Sequence, residues 1–298
     1  MTRILLTGQN GQLGFELRRA LAPLGRVTAV DHAECDLADP EAIRTLMRDV
    51  CPDIVVNPAA YTAVDKAESE PELAAAVNGR APAVFAEEAR ALGALMVHYS
   101  TDYVFDGSKH GAYTEQDVPN PQSVYGRTKA EGEQAVIAAC PRHLVLRTSW
   151  VVGAHGGNFA KTILRLAADR ESLNVVSDQV GAPTSAALIA DVTAQLLGRA
   201  LQAGGENFPF GLYHLVASGE THWQEYARHV VQRAHAAGRP LKLHPQNIHP
   251  IPTMEYPTPA RRPLNSRLDT HKLRDTFGLH LPDWKSALDH VLEQILRP

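Results

Sequence analysis

The chain has 298 residues, 44% of them hydrophobic, and a net charge of −4. This length accommodates one large or two modest domains, because domains average roughly 150 residues. The acidic balance argues against a nucleic-acid partner, since proteins that bind nucleic acids usually present a basic face. The three cysteines, Cys35, Cys51 and Cys140, form no C-x-x-C motif. We therefore expect free thiols in a reducing compartment rather than disulfides or a zinc site.

The N-terminus carries no signature of secretion or membrane insertion. Its apolar stretch is short and leads directly into glycines, unlike a signal peptide. No apolar run elsewhere approaches the ~20 residues that a membrane span requires. The sequence therefore predicts a soluble, cytoplasmic protein with no membrane partner.

The first half of the chain alternates short apolar runs with helix-like segments. The apolar runs, which predict strands, are residues 3–8, 26–31, 53–59, 95–100 and 143–150. The helix-like segments are residues 12–22, 39–50, 71–92 and 123–139. Such alternation is typical of β-α-β units. We therefore predict an α/β fold of the Rossmann type, with a doubly wound parallel sheet and helices on both faces.

The alternation stops after Trp150. Helical patterns near 158–170, 186–202 and 221–238 are separated by stretches rich in turn residues. We predict a Rossmann domain over residues 1–152, to which 186–204 returns, and a smaller C-terminal α/β region over 153–298.

A glycine-rich loop joins the first predicted strand to the first predicted helix. Gly8, Gly11 and Gly14 form a G-x-x-G-x-x-G pattern there. Glycines in this context permit a tight turn and a close backbone approach to a pyrophosphate, which then lies at the helix N-terminus. A glycine turn between strand and helix is also common without any ligand. Its place at the start of an alternating chain favours the dinucleotide interpretation, so residues 1–152 are expected to bind NAD(P).

An acidic residue, Asp31, ends the second predicted strand. A carboxylate there can accept hydrogen bonds from an adenosine ribose, which favours a free 2′-hydroxyl and hence NADH. The alternative is a solvated strand end. Arg18 and Arg19 fit exposed helix positions better than a 2′-phosphate site, so the choice between NADH and NADPH stays open.

A tyrosine and a lysine lie four residues apart in the segment YGRTK. Tyr125 and Lys129 share one face of the predicted helix, and Thr101 ends the fourth predicted strand. Taken alone, such a pair is usually part of a charged surface. Next to a cofactor crevice, the ammonium is expected to lower the pKa of the phenol, which can then protonate a carbonyl oxygen while the threonine hydroxyl holds it.

These motifs together resemble the extended short-chain dehydrogenase/reductases. More narrowly, the chain is similar to the dTDP-4-dehydrorhamnose reductases. The segments that carry the closer resemblance are NPAAYTAVDKAESEP (57–71), HYSTDYVFDG (98–107), RTSWVVGAHGGNFAKTILRLA (147–167), SDQVGAPTS (177–185), GLYHLVASG (211–219) and YPTPARRPLNSRLD (256–269). The resemblance implies reduction of the C4 keto group of a dTDP-4-dehydro sugar by NADPH or NADH, and a substrate-binding role for 153–298.

The resemblance also implies a role for each matching residue. Thr101, Tyr125 and Lys129 would be catalytic, and Lys129 would also hold the nicotinamide ribose. The cofactor would be bound by Gly8, Gly11, Gln12, Leu13, Gly14, Asp31, Asp36, Leu37, Ala60, Tyr61 and Thr62. The sugar site would be lined by Val64, Thr101, Asp102, Tyr103, Tyr125 and Trp150.

The C-terminal tail adds a candidate for the substrate's diphosphate. Arginine recognises phosphate in a bidentate manner, and the segment RRPLNSR holds three arginines. We assign Arg262 to the nucleotide or diphosphate; the alternative is a basic surface loop. Trp150 lies at a strand end, which favours stacking on the sugar over an ordinary core position.

Some features depart from the family pattern or leave alternatives open. The resemblance implies magnesium at a homodimer interface, with Glu16 as a candidate ligand. Ala186 and Ala187 stand where a second carboxylate is expected, and Asp191 is the nearest acid. We therefore assign no metal ligand. Two other functions remain: a related sugar-nucleotide reductase or epimerase, and a non-catalytic subunit like the regulatory subunit of methionine adenosyltransferase.

Overall fold

The computed structural model describes residues 1–204 and 207–297. The strands are β1 (Arg3–Leu6), β2 (Arg26–Ala29), β3 (Ile54–Asn57), β4 (Leu95–Thr101), β5 (His143–Thr148), β6 (Val151–Val152), β7 (Leu173–Val176), β8 (Val180–Gly181), β9 (Thr184–Ser185), β10 (Gly211–His214), β11 (Thr221–His222) and β12 (Ile248–Ile251). The helices are α1 (Gln12–Leu21), α2 (Pro40–Val50), α3 (Val64–Ala67), α4 (Pro71–Ala75), α5 (Ala81–Leu92), α6 (Val124–Ala139), α7 (Phe159–Asp169), α8 (Ala186–Gln202), α9 (Trp223–Ala236), α10 (His271–Phe277) and α11 (Trp284–Leu296).

The central element is a parallel sheet of six strands in the order β10-β5-β4-β3-β1-β2. This confirms the predicted Rossmann-type α/β fold. Strand order reverses between β1 and β3, and ligands of such sheets bind in the crevice at the carboxyl ends of the strands beside that point. Four of the five predicted strands end two residues beyond the observed ones, because the chain turns there into the loops that form the crevice. The fourth, β4, instead runs one residue further than predicted, to Thr101.

Alternating side chains divide the sheet into two buried faces. Residues such as Ile4, Leu6 and Val97 pack against α1 and α8. Residues such as Leu5 and Met96 face the opposite side, where α2 and α5 cover them. Because both faces are buried, the strands read as continuous apolar runs in the sequence.

A separate apolar cluster lies outside the sheet. It is formed by α7, α9 and α11 together with the parallel pair β7–β12. Helix α8 packs on α1 in the core of the central sheet. Strand β10 and helix α10 contribute side chains to the same core. We therefore propose that 1–152 and 186–204 form the cofactor lobe, with β10 and α10 added to it, and that the rest of 153–298 forms the substrate lobe.

The predicted long helix over 71–92 is interrupted. Between α4 and α5, residues Ala76–Arg80 form a π-helical turn. Asn78 in this turn is buried, and its amide contacts the backbone of Tyr61 and the hydroxyl of Thr128. Such turns are frequent at functional sites. None of the described helices is both long and apolar enough to cross a membrane.

Candidate active site

The glycine-rich loop forms one end of a cleft at the carboxyl ends of β1, β3, β4 and β5. A Cβ on Gly14 would lie 2.0 Å from the carbonyl oxygen of Gly8, so only glycine permits this close packing. The first turn of α1 therefore directs its free N–H groups into the cleft. The cleft has a volume of about 510 Å³. Its lining includes Gly8, Gly11, Gln12, Leu13, Gly14, Asp31, Ala60, Thr62, Ser100, Tyr125, Lys129 and Thr148.

A second cavity shares Gly8, Asp31 and Ala60 with this cleft and extends it toward the end of β2. It is lined by Asp36, Leu37 and Tyr61, among others. The structure thus brings all the predicted cofactor residues to one continuous surface. The oxygens of Asp31 accept from the backbone N–H of Asn10 at 3.2 Å and of His32 at 2.9 Å.

The chemistry of the cleft fits a nicotinamide dinucleotide. Two buried hydroxyls, Ser100 Oγ and Thr148 Oγ1, have no hydrogen-bond partner among the described residues and lie in the cleft lining beside Lys129. Buried hydroxyls are normally paired, so these two call for polar groups from a ligand. At the other end, the glycine loop and the N-terminus of α1 form a cradle suited to a diphosphate.

Lys129 is almost completely buried on α6. Its Nζ donates to the carbonyl oxygen of Tyr99 at 2.6 Å and lies 3.4 Å from Nε2 of His98. Burial lowers the pKa of Lys129 to about 8, and the charge of Glu133 one turn later partly offsets this. Burial and the neighbouring ammonium hold the pKa of His98 well below its usual value, so this imidazole is neutral.

Tyr125 lies one turn before Lys129, at the start of α6. Burial raises its pKa above the usual value, and the nearby Thr101 hydroxyl acts in the opposite direction. The sequence-based expectation of a lowered pKa is therefore wrong for the protein without ligands. The physical reason is that the Lys129 ammonium is bonded to Tyr99 and faces His98, while desolvation of the phenol dominates.

Thr101 and Asp102 form a hydrogen-bonded pair at the end of β4. Thr101 Oγ1 donates to Asp102 Oδ1 at 3.0 Å and accepts from the N–H of Tyr103 at 3.2 Å. Burial raises the pKa of Asp102 to about 6, and the Thr101 hydroxyl limits this rise. The hydroxyl proton expected to hold a substrate carbonyl is thus directed at Asp102.

Tyr103 joins Tyr125 to the C-terminal tail. The two rings pack edge to face, with centroids 5.4 Å apart. A guanidinium nitrogen of Arg262 donates to the Tyr103 hydroxyl at 3.4 Å, and another donates to Asp65 Oδ2 at 2.6 Å. A single side chain, Tyr103, therefore separates Arg262, which is predicted to contact the substrate, from Tyr125, the predicted proton donor. Burial raises the pKa of Tyr103 to about 12, and Arg262 limits this shift.

Helix α6, which carries Tyr125 and Lys129, approaches Tyr103 very closely. A Cβ on Gly126 would lie 2.2 Å from the carbonyl oxygen of Tyr103, so a larger residue would push α6 away from the end of β4. This contact explains why the second residue of the segment YGRTK is glycine.

Trp150 adopts an unusual backbone conformation, with φ at 47°. Its ring stacks on Trp223 at a centroid distance of 3.8 Å and packs against Gly181. Strain of this kind is common at functional sites. Of the residues predicted for the substrate, only Tyr125 is in the described cleft lining. The others lie outside that lining, and their assignment to the substrate stays a prediction: Val64, Thr101, Asp102, Tyr103, Trp150 and Arg262.

Sequence reasoning missed several residues that support the site. His98 contacts Lys129, Asn78 contacts Thr128, and Trp223 covers Trp150 while its indole N–H donates to Gln179. Ser100 and Thr148 line the cleft. Of these two, Ser100 is expected near the cofactor crevice from the sequence, because it stands next to Thr101 at the carboxyl end of a predicted strand; Thr148 is not.

The residues considered for magnesium do not fit a metal ion. The guanidinium of Arg19 donates to Asp191 at 2.8 Å and to Glu16 at 3.4 Å. An internal cation therefore already bridges the two carboxylates and offsets one of their two charges. In the part of the chain that the structure describes, no group of three or more potential ligand side chains is positioned for a metal.

Comparison with known proteins places this geometry in a family. The family model of the RmlD substrate binding domain matches residues 1–297. The dTDP-4-dehydrorhamnose reductase of Escherichia coli K12 is 50% identical over 298 residues, covering 98% of this chain and 97% of the relative. The Salmonella typhimurium reductase is 48% identical, with the same coverage of both chains.

Solved structures agree. The Clostridium acetobutylicum dTDP-4-dehydrorhamnose reductase superimposes with a TM-score of 0.88 at 35% identity, covering 99% of both chains. The Bacillus anthracis enzyme in complex with NADP gives a TM-score of 0.85 at 32% identity, covering 99% of this chain and 100% of that one. These findings confirm the resemblance seen in the sequence, and the chain belongs to the RmlD substrate binding domain family.

Proposed function

We propose that this chain reduces the C4 keto group of dTDP-4-dehydro-β-L-rhamnose with NADH or NADPH, giving dTDP-β-L-rhamnose, the last step of dTDP-rhamnose synthesis. The observation that carries the proposal is that Tyr125 and Lys129 line the cleft that the glycine loop closes, with the Thr101 hydroxyl beside the Tyr125 phenol. Relatives named for this reaction match the chain over almost its whole length.

The protein's part of the reaction is to deliver a proton and position the carbonyl. When bound, the reduced dinucleotide supplies the hydride. Tyr125 gives its phenolic proton to the carbonyl oxygen as the carbon is reduced, and solvent later returns that proton. The Lys129 ammonium stabilises the phenolate left behind and holds the cofactor's ribose. Once its hydroxyl turns away from Asp102, Thr101 donates a hydrogen bond to the substrate carbonyl oxygen and holds it beside the Tyr125 phenol.

Three features support a sugar nucleotide as the substrate. Arg262 offers a cation with partial exposure, 21% for its side chain, to a diphosphate. None of the described residues donates a hydrogen bond of normal geometry to Asp102 Oδ2, which leaves an acceptor for a sugar hydroxyl. Tyr103 and Trp150 present aromatic surface to a sugar ring.

A coupled assay tests the proposal. The substrate is generated from dTDP-glucose by a dehydratase and a 3,5-epimerase, and the near-ultraviolet absorbance of the reduced nicotinamide is followed. We expect its loss only when both upstream enzymes are present, with either cofactor. An epimerase would consume no cofactor stoichiometrically. A regulatory subunit would show no turnover with any sugar nucleotide while still binding the dinucleotide.

The setting of the reaction is part of the same proposal. All three cysteines are free thiols, which supports a cytoplasmic location. A homodimer without nucleic-acid or membrane partners remains our prediction for the assembly, and light scattering of the purified protein measures it.

A further inference from the structure

The short helix α3 lies between the catalytic helix and the C-terminal tail. It belongs to the segment VDKAESEP, whose carboxylates have no part in the reaction as described. Yet two of them make contacts across the site. Both side chains are partly exposed, so neither is needed to fill the core.

Glu68 holds the start of the catalytic helix. Its Oε1 accepts from the backbone N–H of Val124, the first residue of α6, at 2.8 Å. Ser123 Oγ accepts from Gly126 at 3.1 Å in the same turn. Helix N-termini leave such N–H groups without internal partners, and a carboxylate also complements the positive end of the helix dipole. Tyr125 is the second residue of this turn.

Asp65 lies on α3, which ends one residue before Glu68, and it holds the tail. Its Oδ2 accepts from Arg262 at 2.6 Å, and its Oδ1 accepts from the backbone N–H of Ala260 at 3.2 Å. One carboxylate therefore fixes both the path of the tail and the direction of the guanidinium. The second terminal nitrogen of the Arg262 guanidinium donates to the Tyr103 hydroxyl.

We propose that Asp65 and Glu68 are positioning residues, and that α3 sets the distance between the proton donor Tyr125 and the substrate-binding Arg262. The inference rests on the proposed function for the roles of those two residues. Small misplacements of catalytic groups reduce rates strongly, about 100-fold for roughly 1 Å. A rigid link through α3 fixes the residues that contact the two ends of the substrate, Tyr125 and Arg262, relative to each other.

Replacing Glu68 tests the link to Tyr125. We expect Glu68→Ala to reduce kcat about 10-fold to 100-fold with little change in KM, because the first turn of α6 loses an acceptor. Glu68→Gln keeps an amide oxygen for the Val124 N–H and should restore most of kcat. Asp39→Ala is the matched control: it removes a helix cap from α2, outside the cleft, and should leave kcat unchanged.

Replacing Asp65 tests the link to Arg262. We expect Asp65→Ala to raise KM for the sugar nucleotide about 10-fold with kcat nearly unchanged, and to weaken the binding of dTDP measured by calorimetry. In the Arg262→Ala background the same change should add almost nothing, because the two residues act as one unit. Full additivity of the two changes would overturn the role of Asp65.

Hydrogen–deuterium exchange separates this inference from the proposed function. Without any substrate, Glu68→Ala should speed exchange at the first turn of α6 relative to wild type, and Glu68→Gln should not. Unchanged exchange and unchanged kcat in Glu68→Ala would overturn the role of Glu68. If Glu68→Ala speeds exchange but the wild-type protein shows no turnover, the proposed substrate is wrong and the positioning role of Glu68 still holds.

Discussion

Thr101 donates its hydroxyl proton to the buried carboxyl of Asp102 at 3.0 Å. The hydroxyl can turn toward a substrate oxygen only when this bond is given up or when Asp102 itself carries a proton. A residue first assigned to the sugar site thus controls the hydrogen-bonding state of a proposed catalytic residue.

The same pair predicts a pH dependence of stability. Burial raises the pKa of Asp102 to about 6, so the native state binds this proton more tightly than the unfolded state. The contribution of this group to stability therefore falls as pH rises from roughly 4 to 6. Asp102→Asn should remove that decline. We expect the free energy of unfolding of the variant, measured with urea, to rise relative to that of wild type by about 2 kcal/mol between about pH 4.5 and about pH 7.5. A difference that does not change with pH would contradict the buried charge.

Removing the phenolic hydroxyl of Tyr125 should abolish most turnover. A general acid contributes about 100-fold or more, so Tyr125→Phe should lower kcat at least that far while the dinucleotide still binds. Tyr213→Phe is the control, because that hydroxyl donates to the backbone of Pro209 at 2.7 Å, outside the described cleft lining. Near-normal turnover by Tyr125→Phe would exclude it as the acid.

The charge of Lys129 should govern cofactor affinity above neutral pH. Burial lowers its pKa to about 8, so the ammonium that we propose holds the ribose is present below that pH and is lost above it. We expect the dissociation constant of NADH, measured by tryptophan fluorescence, to rise as pH increases through about 8.

Two variants check this assignment. Lys129→Arg stays charged and Lys129→Met never is, so both should lose the pH dependence, the second with weak binding throughout. An unchanged pH profile in either variant would place the titrating group elsewhere.

The sequence revealed those parts of the site that depend on local patterns. The glycine loop, the strand ending at Thr101 and the spacing of Tyr125 and Lys129 lie within single elements, where strand and helix periods act directly. The contacts of Glu68 with Val124 and of Asp65 with Arg262 join residues 56 and 197 positions apart. No local period encodes such pairs.

The raised pKa of Tyr125 was missed for a related reason. Spacing placed an ammonium near the phenol but carried no information on burial depth or on the alternative acceptor, the Tyr99 carbonyl. Desolvation is a tertiary property, and here it outweighs the neighbouring charge.

The adenosine end of the cleft predicts a preference for NADH. Its lining contains Asp31 and Asp36, and His32 is the only basic side chain among those lining residues. A 2′-phosphate would face like charges there, which disfavours NADPH. Wild type should therefore show the higher kcat/KM with NADH, and the advantage should shrink in high salt because salt screens exposed charges.

Asp31→Ser tests this preference directly. It removes one carboxylate and keeps a hydroxyl for the backbone N–H of Asn10 in the glycine loop. We expect the ratio of kcat/KM for NADPH to that for NADH to rise about 10-fold, which corresponds to ~1.4 kcal/mol. Glu41→Gln, an exposed change on α2 where the carboxylate pairs with Arg44, is the charge-matched control and should leave the ratio unchanged. A wild type that prefers NADPH, or an unaltered ratio in Asp31→Ser, would show that Asp31 does not select the cofactor.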